Sequence, residues 1–285
     1  MILIAGATGT NGRMLTNLLA QKGHQVRALV RSAARAQFLV QPNVQLYEGD
    51  LSQPDSLDGA FEGVDKAFIV TTILPNTVEL FQNFFDAAQR TTKPHIVKFS
   101  ALGASSANSI IQNQHTQSDE ALIASGLPYT ILRPNSFYQN MLWSAASIKE
   151  SGQFYLPLGD AKQSLVDVRD IAAVAAKALT EEGHAGKTYE LTGPEGLSYH
   201  DVARQLSELL GKDVTYVPIS DEASRQGMLD AGMPEWNADA LTELYSVFAT
   251  GNFAEPNDTI RQLLGREATS FAAWAKDNRG TFTSS

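Results

Sequence analysis

The fold is decided by the stretch Ile2-Leu3-Ile4-Ala5-Gly6-Ala7-Thr8-Gly9-Thr10-Asn11-Gly12. A short apolar run leads into three glycines, and the segment after them has its apolar side chains on one helix face, at Met14, Leu15, Leu18 and Leu19. A strand, a glycine turn and an amphipathic helix in this order open a βαβ unit whose helix N-terminus attracts phosphate groups. We therefore expect a dinucleotide to bind at this turn.

The three glycines have separate expected roles. Gly6 permits the tight turn, Gly9 lets the backbone approach a pyrophosphate, and Gly12 lets the helix pack closely on the strand. Their spacing, Gly-x-x-Gly-x-x-Gly, is typical of short-chain dehydrogenases. The residues of this loop that we expect to contact a cofactor are Gly6, Thr8, Gly9, Thr10, Asn11 and Gly12.

Short apolar runs alternate with helical periodicity along the first half of the chain, which indicates an α/β fold. Strands are predicted over residues 2–5, 25–30, 44–47, 67–70, 96–100 and 129–132. A second helix has its apolar face at Val78, Phe81, Phe84, Phe85 and Ala88. Because crossovers between parallel strands are right-handed, the prediction is a Rossmann-type doubly wound sheet with its ligand at the carboxyl ends of the strands.

The pattern changes beyond Pro134 to longer helices and isolated strands over residues 187–191 and 214–217. Ser198 followed by Asp201 predicts a capped helix that ends near Gly211. We therefore expect a nucleotide-binding domain over residues 1–150 and a smaller α/β domain over residues 151–285. The second is expected to be mainly substrate-binding, with the option that some of its elements return to the first sheet.

The end of the second predicted strand indicates which dinucleotide binds. It is Leu29-Val30-Arg31-Ser32, where an NAD enzyme would place an acid for the ribose hydroxyls. A guanidinium instead binds a 2′-phosphate bidentately, so we expect NADP(H), with NAD(H) use also open. Ser32, Arg35 and Arg13 are candidate helpers, and the alternative is a solvated arginine at a strand end.

Polar residues after later strands complete the expected cofactor contacts. Asp50, beside Leu51, is a candidate acceptor for the adenine amino group, and the alternative is an aspartate that only shapes a turn. Thr71 and Thr72 follow the fourth strand and Ser100 follows the fifth, where the ribose and nicotinamide are expected.

Composition excludes several function classes. The net charge of −9 argues against direct nucleic-acid binding, and the absence of cysteine excludes disulfides, thiolate metal sites and a cysteine nucleophile. No apolar run approaches the roughly 20 residues of a membrane helix, and no basic leader is present, so we expect a cytoplasmic protein. Four histidines lack ligand spacing, so no metal is expected, and they are His24, His95, His184 and His200.

Four segments together resemble the NmrA-like, atypical short-chain dehydrogenase/reductase family, and among its members the bacterial NADPH-dependent quinone oxidoreductases and triphenylmethane reductases. The segments are the glycine loop, residues 132–137 with Asn140, Val166-Asp167-Val168-Arg169-Asp170-Ile171-Ala172 and residues 186–193. The resemblance implies a Rossmann domain that binds NADP, a small C-terminal domain that shapes the substrate pocket, and quinones or similar electron-poor conjugated substrates. A homodimer is compatible with it.

Two other functions stay open. Some members of the family are redox sensors that bind a dinucleotide without known turnover, and such a sensor would pass its state to a protein partner. A third, weaker hypothesis is an isomerase or epimerase with a bound cofactor.

The expected proton donor of a short-chain dehydrogenase is missing. Such an enzyme has a tyrosine with a lysine four residues later, and none of the eight tyrosines has that partner. Quinone reduction does not require the tyrosine–lysine pair, because a hydroquinone anion can take its proton from solvent. His115 resembles the histidine of the related reductases and is the candidate donor, with a capping or surface histidine as the alternative.

Further candidates follow the sixth strand. Pro134 and Asn135 are expected to meet the carboxamide of the cofactor, and Phe137, Tyr138 and Trp143 are candidates for stacking on a flat substrate. The alternative is that this aromatic row, which has helical spacing, belongs to the hydrophobic core. Asp119 and Glu120 stand where some relatives have a lysine, which argues against an ammonium group in the reaction.

Overall fold

A computed structural model describes residues 1–106 and 108–283 of the 285-residue chain. Its strands are β1 (Ile2–Ala5), β2 (Val26–Val30), β3 (Val44–Glu48), β4 (Lys66–Ile69), β5 (His95–Phe99), β6 (Tyr129–Pro134), β7 (Gln153–Leu156), β8 (Lys162–Gln163), β9 (Lys187–Leu191), β10 (Leu197–Ser198) and β11 (Thr215–Pro218). Its α-helices are α1 (Thr10–Gln21), α2 (Thr77–Arg90), α3 (Ile110–Ala124), α4 (Ala145–Ser151), α5 (Val168–Thr180), α6 (Tyr199–Leu210), α7 (Asp221–Asp230), α8 (Glu235–Phe248), α9 (Thr259–Leu264) and α10 (Phe271–Asp277).

The central sheet has seven strands in the order β3-β2-β1-β4-β5-β6-β9. Neighbouring strands from β3 to β6 are parallel, with Ile2 opposite Val26 on one side and Lys66 on the other. The strand order reverses direction between β1 and β4, which is the point where doubly wound sheets bind ligands. The Rossmann-type α/β fold predicted from the sequence is confirmed.

Burial of both sheet faces explains the apolar strands and helix faces. Strand β1 has no exposed position, and α2 packs Phe81, Phe84 and Phe85 into a core with Leu3 and Ile96. The predicted strands of the sheet agree with the observed ones to within two residues at each end. The hydrophobic pattern was therefore a sufficient guide to this part of the chain.

Chain contacts divide the described residues into two compact units. The first contains residues 1–106, 112–133 and 171–190, and the second contains 108–111, 134–170 and 191–283. The observed division therefore differs from the expected boundary at residue 150. Most of α5 and of β9 belong to the first unit, because β9 is the edge strand of its sheet.

The second unit has its own small elements. β7 pairs with β11 in parallel and β8 pairs with β10 in an antiparallel bridge. Ser198 and Asp201 form the predicted capping box at the start of α6, which confirms that prediction. Buried Asp170 accepts hydrogen bonds from Arg266 Nη2 and from the backbone N–H of Thr269, both at 2.6 Å.

None of the helices in the described residues combines the length and the apolar character that a membrane crossing needs.

A buried histidine lies at the amino end of β5. The hydroxyl of Thr130 donates to the carbonyl of His184 at 2.7 Å, so it accepts the Nε2–H of His95 at 2.9 Å. Burial, together with the nearby charge of Lys66, lowers the pKa of His95 from 6.5 to about 4. His95 is therefore neutral in the folded protein at neutral pH.

We predict that His95 makes stability fall in mildly acidic solution. Between pH 6.5 and about 4 the unfolded chain binds a proton at His95 and the folded chain does not. The free energy of unfolding should therefore decrease by about 3 kcal/mol as the pH falls through this window. Urea unfolding at a series of pH values should show a smaller loss for His95→Gln than for the parent. The exposed His200→Gln is the control, and an equal pH dependence in the parent and His95→Gln would contradict the assignment.

Candidate cofactor site and active site

Two positions of the glycine loop have no room for any residue other than glycine. Gly6 has a φ of +82°, and a Cβ there would lie 2.3 Å from the carbonyl oxygen of Val70. A Cβ on Gly12 would lie 2.2 Å from the carbonyl oxygen of Gly6. The first turn of α1 therefore packs directly on the backbone that leaves β1.

The N-terminus of α1 is open to an anionic ligand. Gly9 precedes the helix without a side-chain cap, and the first turn carries no acidic residue. The first N–H groups of a helix have no partner within it, so they stay available here. Thr8, Gly9 and Thr10 are exposed, and a Cβ on Gly9 would meet only the Gly6 carbonyl at 3.5 Å.

The residues of this loop fit the pyrophosphate of a dinucleotide. The helix supplies N–H donors and a positive dipole end, and the bare Gly9 backbone permits close approach. Buried Asn11 Oδ1 has no hydrogen-bond partner within residues 1–106 and 108–283, which leaves an acceptor that a hydroxyl or amide of the cofactor would satisfy. That these residues bind the cofactor stays a prediction.

The loop after β2 presents two arginines to solvent. Arg31 and Arg35 are both exposed, and neither has an ion-pair partner in the part of the chain that the structure describes. Glu48, at the end of β3, accepts the backbone N–H of Ala33 at 2.6 Å and so holds this loop. Ser32 is half-buried beside it. Free guanidinium groups at this position suit a 2′-phosphate, as the sequence predicts.

The residues after β3 and β4 have mixed roles. One oxygen of Asp50 accepts the backbone N–H and the hydroxyl of Ser52, both at 2.9 Å, which is the turn geometry given above as the alternative. The carbonyl of Leu51 accepts from Asn83 at 2.8 Å. Thr71 is half-buried and Thr72 is exposed. Their contacts with adenine or ribose stay predictions.

A buried ionic network lies at the carboxyl ends of β5 and β6. Asp119 Oδ1 accepts from Lys98 Nζ at 2.7 Å. Its Oδ2 accepts from the Ser100 hydroxyl at 2.9 Å and from Arg133 Nε and Nη2 at 3.2 and 3.0 Å. The side chain of Ser100 has no exposed surface and its hydroxyl donates to Asp119, which corrects the expectation only for a contact through the hydroxyl. A contact of the cofactor with the Ser100 backbone stays a prediction.

Sequence reasoning missed Lys98. Burial lowers its pKa to about 8, and Asp119 acts in the opposite direction. An ammonium group thus lies near α3, supplied by β5, but it is fully buried, and the expectation that no ammonium group takes part in the reaction stays a prediction. The signal was a single lysine inside the fully buried strand His95–Phe99, a position where a charge requires a partner.

His115 lies in the middle of α3, on the same face as Asp119 four residues later. It is half-buried, and its ring centroid is 6.3 Å from that of Phe81. Its buried Nδ1 has no hydrogen-bond partner among the residues that the structure describes. Burial lowers the pKa of His115 well below 6.5, and the cations Lys98 and Arg133 add to this. His115 is therefore a neutral imidazole that can donate a hydrogen bond, and it is neither a cap nor a cationic acid.

The remaining candidates belong to the second unit. Tyr138 has no exposed surface and packs against Phe271 and Trp274, with ring centroids 5.4 and 5.8 Å away. This corrects its expected role in substrate stacking, because the ring is part of the aromatic core. Phe137 is half-buried and Trp143 is 71% exposed, so both stay candidates.

Asn135 also has a structural role. Its Nδ2 donates to Ser164 Oγ and to the carbonyl of Phe253, both at 3.0 Å, and its Oδ1 accepts the N–H of Ser136. The side chain is 2% exposed, so the expected contact between its side-chain amide and the cofactor is corrected. Pro134, the buried last residue of β6, stays a candidate through its backbone.

The sequence model of the NmrA-like family matches residues 1–276. The chain belongs to the NmrA-like family. An NAD(P)H azoreductase from Xenophilus azovorans is 40% identical over 283 residues, which is 99% of each chain. Quinone oxidoreductase 2 from Escherichia coli is 30% identical, over 95% of this chain and 96% of that protein.

Solved structures of two reductases share the fold. The Escherichia coli NADPH-dependent quinone oxidoreductase complexed with NADPH superposes with a TM-score of 0.89 at 30% identity, and covers 97% of this chain and 99% of its own. The Citrobacter triphenylmethane reductase complexed with NADP(H) has a TM-score of 0.86 at 29% identity over the same shares. The resemblance inferred from the motifs is confirmed.

We predict that substitutions at Gly9 and Gly12 have separable effects. Gly9 has an extended backbone with room for a methyl group, so Gly9→Ala should fold normally and bind NADPH at least about tenfold more weakly. Gly12→Ala should lose about 1–3 kcal/mol of folding stability through overlap with Gly6. Thermal unfolding and NADPH fluorescence titration measure the two effects. Gly227→Ala, in open space, is the control, and unchanged NADPH affinity in Gly9→Ala would refute the assigned site.

Cofactor choice should depend on Arg31. We expect Arg31→Asp to weaken NADPH binding by about tenfold to a hundredfold and NADH binding much less, because only NADPH loses a charged hydrogen bond to its 2′-phosphate. Titration of both nucleotides checks this, with Arg35→Asp as the matched variant in the same loop. If the ratio of the two affinities does not change, Arg31 does not bind the 2′-phosphate.

Proposed function

We propose that this chain transfers hydride from NADPH to quinones or to similar electron-poor conjugated acceptors. It is an NAD(P)H-dependent oxidoreductase of the NmrA-like family. The observation that carries the choice of acceptor is the character of the groups around His115. The imidazole of His115 is neutral, and the ammonium of Lys98 has no exposed surface and donates to Asp119, so none of these groups offers a strong proton donor to an acceptor.

An acceptor for such a site must tolerate the missing acid. An ordinary ketone becomes an alkoxide and needs a proton donor matched to it, whereas a quinone becomes a stabilised phenolate-type anion that water can protonate. The names of the relatives support the same choice, since they include an azoreductase and quinone oxidoreductases. Their acceptors are conjugated and electron-poor.

The residues of the chain then have defined tasks. The N-terminus of α1 and the Gly9 backbone bind the pyrophosphate, and Arg31 binds the 2′-phosphate. NADPH, when bound, supplies the hydride, that is, a proton with two electrons. The neutral His115 donates a hydrogen bond to the acceptor oxygen, and positioning provides most of the rate enhancement.

The proposal predicts turnover by the purified protein alone. NADPH oxidation should depend on an added quinone or azo compound and should yield one reduced acceptor per NADPH in a two-electron reaction. Gly9→Ala should lose activity in proportion to its weaker NADPH binding. Binding of NADPH with no oxidation by any quinone, azo or dye acceptor would refute the enzyme and favour a redox sensor.

A further inference from the structure

The ionic network around Asp119 is unbalanced in charge. One carboxylate faces two cations, Lys98 at 2.7 Å and Arg133 at 3.0 Å, so the three groups together carry one excess positive charge. The ammonium of Lys98 also lies 4.4 Å from the ring centroid of Phe81, which stabilises its charged form. Its pKa of about 8 leaves it mainly protonated at neutral pH.

The excess charge is presented through Arg133. The side chain of Lys98 has no exposed surface and that of Asp119 has 2%, whereas 17% of the Arg133 side chain is exposed. Both hydrogen bonds that fix the guanidinium come from Nε and Nη2. Within the described residues Nη1 donates no hydrogen bond, so one edge of a rigidly held cation is left for a ligand.

Within the described residues, Asp119 is the only acid that forms an ion pair with Lys98 or Arg133. His115 is neutral, as shown above, and Ser100 and Phe81 are uncharged. Arg133 lies in β6 beside β5, at the same edge of the parallel sheet as the glycine loop after β1. That edge is where a doubly wound sheet binds its ligands.

Hydride transfer changes the charge of the acceptor by one negative unit. A neutral quinone that takes up a hydride, while NADPH leaves as NADP⁺, becomes a monoanion, and one proton from water then completes the hydroquinone. A cationic triphenylmethane dye that takes up a hydride becomes a neutral molecule and needs no proton. A fixed cation therefore stabilises the product of the first reaction and repels the substrate of the second.

We propose that Arg133, held by Asp119 and backed by Lys98, selects acceptors by charge, favouring neutral conjugated acceptors that become anions over cationic dyes. This inference rests on the proposed function and names the substrate class within it. Arg133 acts on the reacting oxygen through its free edge, and Asp119 and Lys98 are positioning residues.

Kinetics with two acceptors test the proposal. The parent protein should reduce menadione, a neutral quinone, with a higher kcat/KM than malachite green, a cationic dye. Arg133→Met should lower kcat/KM for menadione about tenfold to a hundredfold and leave that for malachite green unchanged or raised. Arg133→Lys should retain part of the preference. Arg90→Met, which removes another arginine paired with an aspartate of the same unit, is the control.

A binding measurement separates this proposal from the proposed function. With NADP⁺ present, bound 4-nitrophenol should be more ionised than free 4-nitrophenol at the same pH, and this excess should disappear in Arg133→Met. Its absorbance reports ionisation without turnover. Failure of every acceptor to oxidise NADPH would refute the proposed function. The charge selection would be refuted if bound 4-nitrophenol were no more ionised in the parent than in Arg133→Met. It would also be refuted if Arg133→Met lowered kcat/KM equally for menadione and malachite green. Lys98→Met removes the excess positive charge from the other side of Asp119 and should likewise abolish the excess ionisation of bound 4-nitrophenol.

Discussion

The contact of Gly12 with the backbone of Gly6 fixes the ligand-binding edge of the sheet. It brings the first turn of α1 against the end of β1, at a separation where a single methyl group would overlap the Gly6 carbonyl. Because β1 lies between β2 and β4, this contact also sets the distance from the helix N-terminus to the loops that follow those strands. The direction of the helix dipole and the place of the free arginines after β2 both follow from it.

The ion pair between Lys98 and Asp119 imposes a second constraint. Taking two charges out of water is costly, and breaking a buried pair by removal of one partner typically costs about 3–5 kcal/mol. Asp119 offsets its burial by accepting four hydrogen bonds from three residues, so α3 is fixed to β5 and β6 at one point. The orientation of His115, one turn earlier on the same helix face, depends on that attachment.

The sequence predicted the sheet and the glycine loop well because both depend on local pattern. Apolar runs and the spacing of Gly6, Gly9 and Gly12 are readable without knowledge of neighbours in space. The network was not predicted, because Lys98 and Asp119 are 21 positions apart and meet only through the packing of α3 on β5. The predicted ligand contacts of Tyr138 and of the Asn135 side chain were wrong for a related reason. The sequence does not distinguish an aromatic or amide side chain that faces a ligand from one that faces the core, and only its burial in the structure does.

The late position of β9 in the chain has a consequence for biosynthesis and for any attempt to shorten the protein. Residues 187–191 cover the edge of β6, and the carbonyl of His184 accepts the hydroxyl of Thr130, which in turn holds His95. A nascent chain that has emerged only as far as residue 150 therefore carries an uncovered edge on β6, and exposed edges of this kind invite aggregation. The edge of this sheet, although the first half looks separable in the sequence, is covered only after residue 191 has emerged from the ribosome.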